Sequence, residues 1–229
     1  MEFRNELKFE VSESELAKIK YRLLPLMRCD SHQDTDGYAV RSLYFDDIYD
    51  SCMNEKGDGV CHRIKYRLRI YNADAGLVRL EKKIKYRQMT KKVSQTLTRR
   101  ESDALLGGDR EFLSGVMAGG GESLLRELAV KMMQKNMAPK CIVEYDRFAF
   151  VEAAGNVRIT FDRNISGCGQ VERFYDEALF QVPVMPAGRH ILEIKFDEFL
   201  PRYLLQAVDI GNLRRQSFSK YYFARVAVG

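Results

Sequence analysis

Cations at every second position dominate the middle of this chain. Arg63, Lys65, Arg67 and Arg69 alternate with Ile64, Tyr66, Leu68 and Ile70. After a short polar turn, Arg79, Glu81, Lys83, Lys85 and Arg87 alternate with Val78, Leu80, Ile84 and Tyr86, and only Lys82 interrupts the apolar row. Period-2 alternation predicts strands with two unlike faces, and the turn residues from Asn72 to Gly76 fold the two runs into an antiparallel hairpin. Nine charged side chains then share one face. Like charges opposite one another on paired strands repel, so this face needs water, interleaved carboxylates or an anionic ligand. Arg is denser on it than solubility requires, and the planar fork of Arg suits phosphate.

The remaining inventory narrows the chemistry. The five cysteines (Cys29, Cys52, Cys61, Cys141, Cys168) contain no C-x-x-C pair, and the three histidines (His32, His62, His190) lie far apart in sequence. This argues against a zinc or histidine-based metal site and for reduced thiols. A net charge of +5 is compatible with a polyanionic partner. With no Trp and no nucleic-acid motif, nucleic acid is not the expected partner. The N-terminus lacks the pattern of a signal peptide and no apolar run approaches a membrane span, so a soluble cytoplasmic protein is expected. The 229 residues are read as a single domain.

The elements that must position these cations follow in order. Arg4 to Val11 alternates as a first strand, with Glu6, Lys8 and Glu10 on one face. Ser12-Glu-Ser-Glu15 is a capping box, and Leu16, Ile19, Leu23 and Met27 continue at helical spacing toward Arg28, with Pro25 placed to end or kink the helix. Cys29 to Gly37 reads as loop, Tyr38 to Asp46 as strand, Tyr49 to Asn54 as a helical turn and Glu55 to Gly59 as a turn into the hairpin. Thr90 to Thr98 is a strand, Thr98-Arg-Arg-Glu101 a second capping box, and Ser102 to Gln134 helical with one break at Gly119 to Gly121. Lys140 to Val151 and Val157 to Arg163 form a hairpin around Gly155-Asn156, and Ile165 to Pro186 has no clear pattern. Arg189 to Asp197 is again a strand with Arg189, Glu193 and Lys195 on one face, Phe199 to Ile210 is helical, and Phe218 to Tyr222 is a polar-aromatic ending.

Five such strands, with Tyr145 and Arg147 marking a sixth, are enough to close a small barrel. Two arrangements are open. Apolar faces turned inward give an ordinary barrel or sandwich with solvated charges. Apolar faces turned outward, covered by the helices, give a lumen lined with Arg, Lys and Glu.

Eight short motifs in order carry a resemblance: Arg4-x-Glu6-x-Lys8, Tyr44-Phe45-Asp46, Arg63-x-Lys65-x-Arg67-x-Arg69-x-Tyr71, Glu81-x-Lys83, Glu144-Tyr-Asp-Arg147, Arg158-x-Thr-x-Asp162, Leu192-Glu193-x-Lys195 and Phe218-Ser219-Lys220-Tyr221. Together they resemble the VTC domain, the polyphosphate polymerase module of the triphosphate tunnel metalloenzyme (CYTH-like) superfamily. The resemblance implies an α+β fold, an eight-stranded antiparallel β-barrel with a charged lumen and flanking helices. It also implies ATP-dependent synthesis of polyphosphate with Mn2+ or Mg2+. By position, Lys8, Arg67, Arg69, Lys83, Arg147, Arg158 and Lys220 would form the basic lining, and Arg63, Lys65, Tyr145, Lys195 and Ser219 would add substrate contacts. Glu193 matches the metal ligand, with Glu6 and Glu81 as further candidates.

Phosphoryl transfer asks mainly for positioning and cations, which agrees with the lack of an obvious nucleophile. The phosphohydrolase branches open with Glu-x-Glu-x-Lys, whereas Arg4 stands first here, which favours transfer over hydrolysis. A tripolyphosphate or nucleoside triphosphate hydrolase and a non-catalytic polyphosphate-binding module remain the alternatives. Glu193 could equally pair with Lys195, and Lys220 could be solvated.

Overall fold

A computed structural model describes residues 3–209, 211 and 213–229. The chain begins with β1 (Arg4–Ser12) and α1 (Glu13–Leu23), then β2 (Arg28–Cys29), β3 (Tyr38–Asp46) and α2 (Ser51–Gly57). The cationic hairpin is β4 (His62–Tyr71) and β5 (Asp74–Tyr86), followed by β6 (Met89–Leu97). Three helices come next, α3 (Arg99–Gly107), α4 (Arg110–Ala118) and α5 (Leu124–Lys135). The long strands β7 (Ala138–Glu152) and β8 (Val157–Cys168) precede β9 (Val182–Pro183), β10 (Arg189–Phe196), α6 (Arg202–Val208) and α7 (Lys220–Val228).

All strand pairings are antiparallel, and the order β7-β3-β4-β5-β6-β1-β10-β8 returns to β7 through the β7–β8 pairing. Eight strands therefore form a closed ring, in which each strand is paired on both sides. The ring is thinnest between β1 and β6, which pair only at Arg4↔Thr90 and Asn5↔Met89.

The apolar faces point outward. On one side Leu43, Phe45, Leu68, Ile70, Val78 and Leu80 are buried beneath Leu105, Leu113, Leu125 and Leu128 of α3, α4 and α5. On the other, Phe150, Ile159, Phe161, Leu192 and Ile194 are buried beneath Leu16, Ile19 and Leu23 of α1 and Leu204 and Val208 of α6. The interrupting Lys82 points the same way, and Glu127 on α5 neutralises it at 2.6 Å. The charged faces are thereby turned inward, which settles the choice left open above.

Local signals set the boundaries. Both capping boxes form, at Ser12 with Glu15 and at Thr98 with Glu101. α1 stops at Leu23, two residues before Pro25. The helical run after Thr98 breaks twice and not once, because Gly108 takes a left-handed φ of 64° and Asp109 caps a new helix. β8 continues past Arg163 to Cys168; Asn164 adopts φ 52° and the β7–β8 register shifts between Glu144 and Asp146, so the alternation slips a face and becomes unreadable. The helix expected over Phe199 to Ile210 is shorter, Arg202–Val208, and Ile210 lies outside the described residues.

The chain end is the largest difference. Lys220–Val228 is a helix capped by Ser219, where the sequence reading left a polar-aromatic ending. Phe218, Tyr221 and Ala224 pack against Tyr44, Val143, Tyr145 and Ile191. Tyr44 and Tyr145 line the lumen, so α7 docks against its inner wall. The run of aromatic and β-branched residues reads as strand by propensity, and docking overrides it. No described helix is long and apolar enough to cross a membrane. The five cysteines are free thiols.

Candidate functional site

The lumen is a cavity of about 530 Å3. Its lining includes every residue named for the site from the sequence except Glu81: Lys8 and Glu6 from β1, Arg63, Lys65, Arg67 and Arg69 from β4, Lys83 from β5, Tyr145 and Arg147 from β7, Arg158 from β8, Glu193 and Lys195 from β10, and Ser219 and Lys220 at the start of α7. Strand geometry explains the convergence, since alternate residues of each strand face one side of the wall. Across the hairpin Lys65 lies opposite Lys83 and Arg63 opposite Lys85, like charges in register. An anionic ligand in the lumen would relieve that repulsion.

One part of the wall consists of arginines held from behind. The Arg67 guanidinium donates to Glu81 from Nε at 2.8 Å and Nη2 at 2.6 Å, and from Nη1 to the Tyr44 hydroxyl at 2.9 Å. Arg69 lies 3.5 Å from the same carboxylate and donates to Ser42 at 3.1 Å and to the Tyr145 hydroxyl at 3.3 Å. Lys92 takes the second Glu81 oxygen at 2.8 Å. Glu81 is fully buried; burial alone would raise its pKa, but Arg69, Arg67 and Lys92 hold it well below the usual carboxylate range. The structure therefore places Glu81 behind the lumen as an anchor for two arginines. Arg147 makes the matching arrangement with Asp162, bidentate at 2.7 and 2.8 Å, and Lys220 donates to the same carboxylate at 2.5 Å. Against the effect of burial, these two cations bring Asp162 down to about 2.

A second part mixes lysines with carboxylates that face the cavity. Lys8 lies 3.2 Å from Glu6 and 3.3 Å from Glu193. Lys83 donates to both Glu6 oxygens at 2.8 and 3.0 Å, and Lys195 lies 2.8 Å from Glu193. Burial would raise the pKa of Glu193, but Lys195, Lys8, Lys220 and Lys83 hold it well below the ordinary range. Lys83 moves the other way: burial, opposed by Glu6 and aided by Lys8 and Lys195, brings it down to about 7. Lys65, 3.3 Å from the Ser219 hydroxyl and above the Tyr221 ring, is brought down to about 8, mainly by burial.

The mouth is built differently again. Arg158 pairs with Asp30 of the loop after β2 at 2.5 Å and donates to Tyr38 at 3.1 Å. Arg4 is tied to Asp197 at 2.6 Å and to the Asn156 carbonyl. A smaller recess shares Glu6, Lys8, Arg63 and Lys85 with the lumen and adds Arg87 and Arg215.

Sequence reasoning did not single out Tyr44, Lys91, Lys92 and Asp162 for roles at the site. Tyr44 and Asp162 stood in the motifs that carry the resemblance, and Lys91-Lys92 was visible only as a charged start to a strand. Nothing in the local sequence distinguishes Asp162, which anchors an arginine, from Glu193, which faces the lumen. That distinction depends on which strand lies alongside.

Among the described residues no three acidic, histidine or cysteine side chains gather as a metal site. Glu6 and Glu193 nonetheless converge from two strands on one lysine. Two carboxylates, with phosphate and water supplying the other positions, are the donor set that Mg2+ and Mn2+ accept in phosphate-binding sites, so these residues fit such an ion.

A closed ring of antiparallel strands around a cationic lumen, covered by helices, is the triphosphate tunnel fold. Two solved structures share it. The putative adenylyl cyclase HpAC1 from Hippeastrum, described as having a dominant triphosphatase activity, superposes with a TM-score of 0.56 at 11% identity, covering 100% of this chain and 97% of that one. A putative adenylate cyclase from Vibrio parahaemolyticus gives 0.51 at 12% identity over 97% of each chain. At these identities the likeness is one of fold. The family model of the VTC domain matches residues 3–228, and the chain belongs to that family. No curated protein matches the sequence.

Proposed function

We propose that this chain is an ATP-dependent polyphosphate polymerase. The observation that carries the reading is the imbalance of the lumen, where fourteen Lys and Arg side chains face two carboxylates, Glu6 and Glu193. Such a channel suits a ligand that is anionic along its length, as a triphosphate or polyphosphate chain is.

In the proposed step an oxygen of the chain's terminal phosphate attacks the γ-phosphorus of ATP. A new P–O–P linkage forms, the bond from that phosphorus to the β,γ-bridging oxygen breaks, and ADP leaves. The attacking oxygen is an oxyanion at neutral pH and needs no general base, in keeping with a described lining that has no His or Cys. Arg67, Arg69, Arg147 and Lys220 hold phosphate oxygens in fixed positions. Lys8, Lys83 and Lys195 meet charge on the transferred group and the leaving ADP, and Arg158, Arg63, Lys65, Tyr145 and Ser219 guide the chain. Bound between Glu6 and Glu193, Mg2+ or Mn2+ would neutralise charge on the phosphate oxygens.

Hydrolysis is the competing reading. It requires an activated water, and Arg4 stands where the phosphohydrolase branches carry a first Glu, which leaves one carboxylate fewer to hold a metal and its water. The test is incubation with ATP and Mn2+ and resolution of the products by length. Chains longer than triphosphate with matching ADP are expected. Orthophosphate alone would make the chain a hydrolase, and tight triphosphate binding without turnover would make it a binding module.

A further inference from the structure

Two helices on the outside of the ring carry a surface that the lumen does not explain. α1 and α6 cover the same apolar patch of β7, β8 and β10, and the Arg22 guanidinium donates to the Asp209 carbonyl just beyond α6, so their outer faces adjoin. Of the sixteen large apolar side chains exposed among the described residues, six lie on α1, on α6 or in the segments that flank them: Tyr21, Leu24, Leu26, Phe199, Tyr203 and Leu205. Tyr21 is 81% exposed and Phe199 57%. Interleaved with them are the exposed cations Lys18, Arg22, Arg28 and Arg202. No carboxylate occurs from Leu16 to Cys29 or from Phe199 to Val208; Glu15 and Asp30 flank the first stretch, and Glu198 and Asp209 the second.

Exposed apolar side chains at this density mark an interaction surface. The charge selects the occupant. A second copy seated on the same face by two-fold symmetry would set cations against cations, and an uncharged apolar partner would leave them unanswered. Exposed Tyr, Phe and Leu beside Lys and Arg suit the headgroup region of an anionic bilayer, where rings and aliphatic chains insert and cations sit among the phosphates. We propose that the α1–α6 face docks the protein on an anionic lipid surface. The proposal uses neither the lumen nor the polymerase reading.

The test is co-sedimentation of the full chain with phosphatidylglycerol-phosphatidylcholine vesicles and with phosphatidylcholine vesicles, with tripolyphosphate in excess to occupy the lumen. Binding to the anionic vesicles alone is expected, and L24E/L205E, altered at two exposed positions, should weaken it by about tenfold or more. A second variant, R22E/R202E, should lose binding while keeping the circular dichroism spectrum of the parent. Four results would overturn the proposal: no binding to anionic vesicles, equal binding to both vesicle types, undiminished binding by either variant, or loss of binding on adding tripolyphosphate, which would assign the lipid to the lumen. Capture of soluble polyglutamate in place of vesicles would assign the face to an acidic protein.

Discussion

Arg67, Arg69 and Arg147 lean on Glu81 and Asp162, carboxylates outside the lumen lining, whereas Lys8, Lys83 and Lys195 pair with Glu6 and Glu193, which face it. The first set is an arrangement of permanent charge. Guanidinium stays protonated in proteins, its fork is held by short bonds, and a phosphate entering the lumen finds it already placed. The second set is exchangeable. Each lysine is bonded to a carboxylate that a divalent cation can also occupy, so an ion arriving with the substrate would release lysines toward the phosphates. The contrast suggests that one protein wall holds the polyanion and the other responds to it.

Removing a carboxylate from each set separates the two roles. Glu81→Gln leaves Arg67, Arg69 and Lys92 without their buried counter-charge, and breaking a buried pair of this kind costs about 3–5 kcal/mol. The expected result is a large fall in the denaturation midpoint, partly recovered by tripolyphosphate, which binds only the folded state. The pH dependence carries the same sign. Glu81 is held well below its ordinary range, so its contribution is complete at neutral pH and is lost as the pH falls through and below that range. An E81Q protein as stable as the parent would mean that the arginines hold their own positions. Glu193→Gln also removes a buried counter-charge, from Lys8 and Lys195, and should lower the midpoint too; what sets it apart is turnover, with kcat expected to fall by about 100-fold or more. Its tripolyphosphate affinity should stay equal or rise, since a negative charge leaves the lumen. Unchanged turnover would remove Glu193 from the reaction.

The difference between the two walls was only partly visible in the sequence. Alternation in β1, β4, β5 and β10 predicts the strands and the shared face of Lys8, Arg67, Lys83 and Glu193, because a period of two survives wherever each face has one environment. The direction of that face was not legible from the strands themselves; it follows from where α1, α3, α5 and α6 pack. Glu6, Glu81 and Glu193 looked alike as carboxylates among cations. Only the pairing of β4 with β5 assigns Glu81 to Arg67, and only the pairing of β1 with β10 brings Glu193 to Lys8, beside Glu6 of the same strand as Lys8. α7 and the far half of β8 were lost for local reasons, a helix built from strand-favouring residues and a register slip at Asn164.

Lys83 tests the exchangeable wall without removing it. Its pKa of about 7 leaves it partly neutral in the free protein, and a triphosphate beside it favours the charged form. Binding must then take up a proton, and affinity should weaken as the pH rises above 7. The ligand's own ionisation works the other way, so the informative quantity is the difference from Lys83→Arg, which stays charged. Relative to K83R, the parent should lose up to about tenfold in affinity per pH unit between roughly pH 7 and 9. Calorimetry in two buffers of different ionisation enthalpy should record proton uptake by the parent that K83R lacks. Parallel pH profiles would place Lys83 among the permanent charges.

The smallest expected effect lies at the mouth, where Arg158 combines features of both walls. Like Arg67 it is an arginine with a carboxylate partner, but it is partly exposed, and Asp30 comes from a loop and not from a neighbouring strand. Partly exposed pairs contribute little, so the question is one of direction. If Asp30 competes with phosphate for Arg158, Asp30→Asn should lower KM by up to about fivefold with kcat unchanged. Asparagine can still accept from the His32 backbone N–H through its carbonyl oxygen, which limits disturbance of the loop. A raised KM would reverse the assignment. Asp30 would then be holding Arg158 in place for the substrate, as Glu81 holds Arg67, and the permanent wall would extend to the entrance.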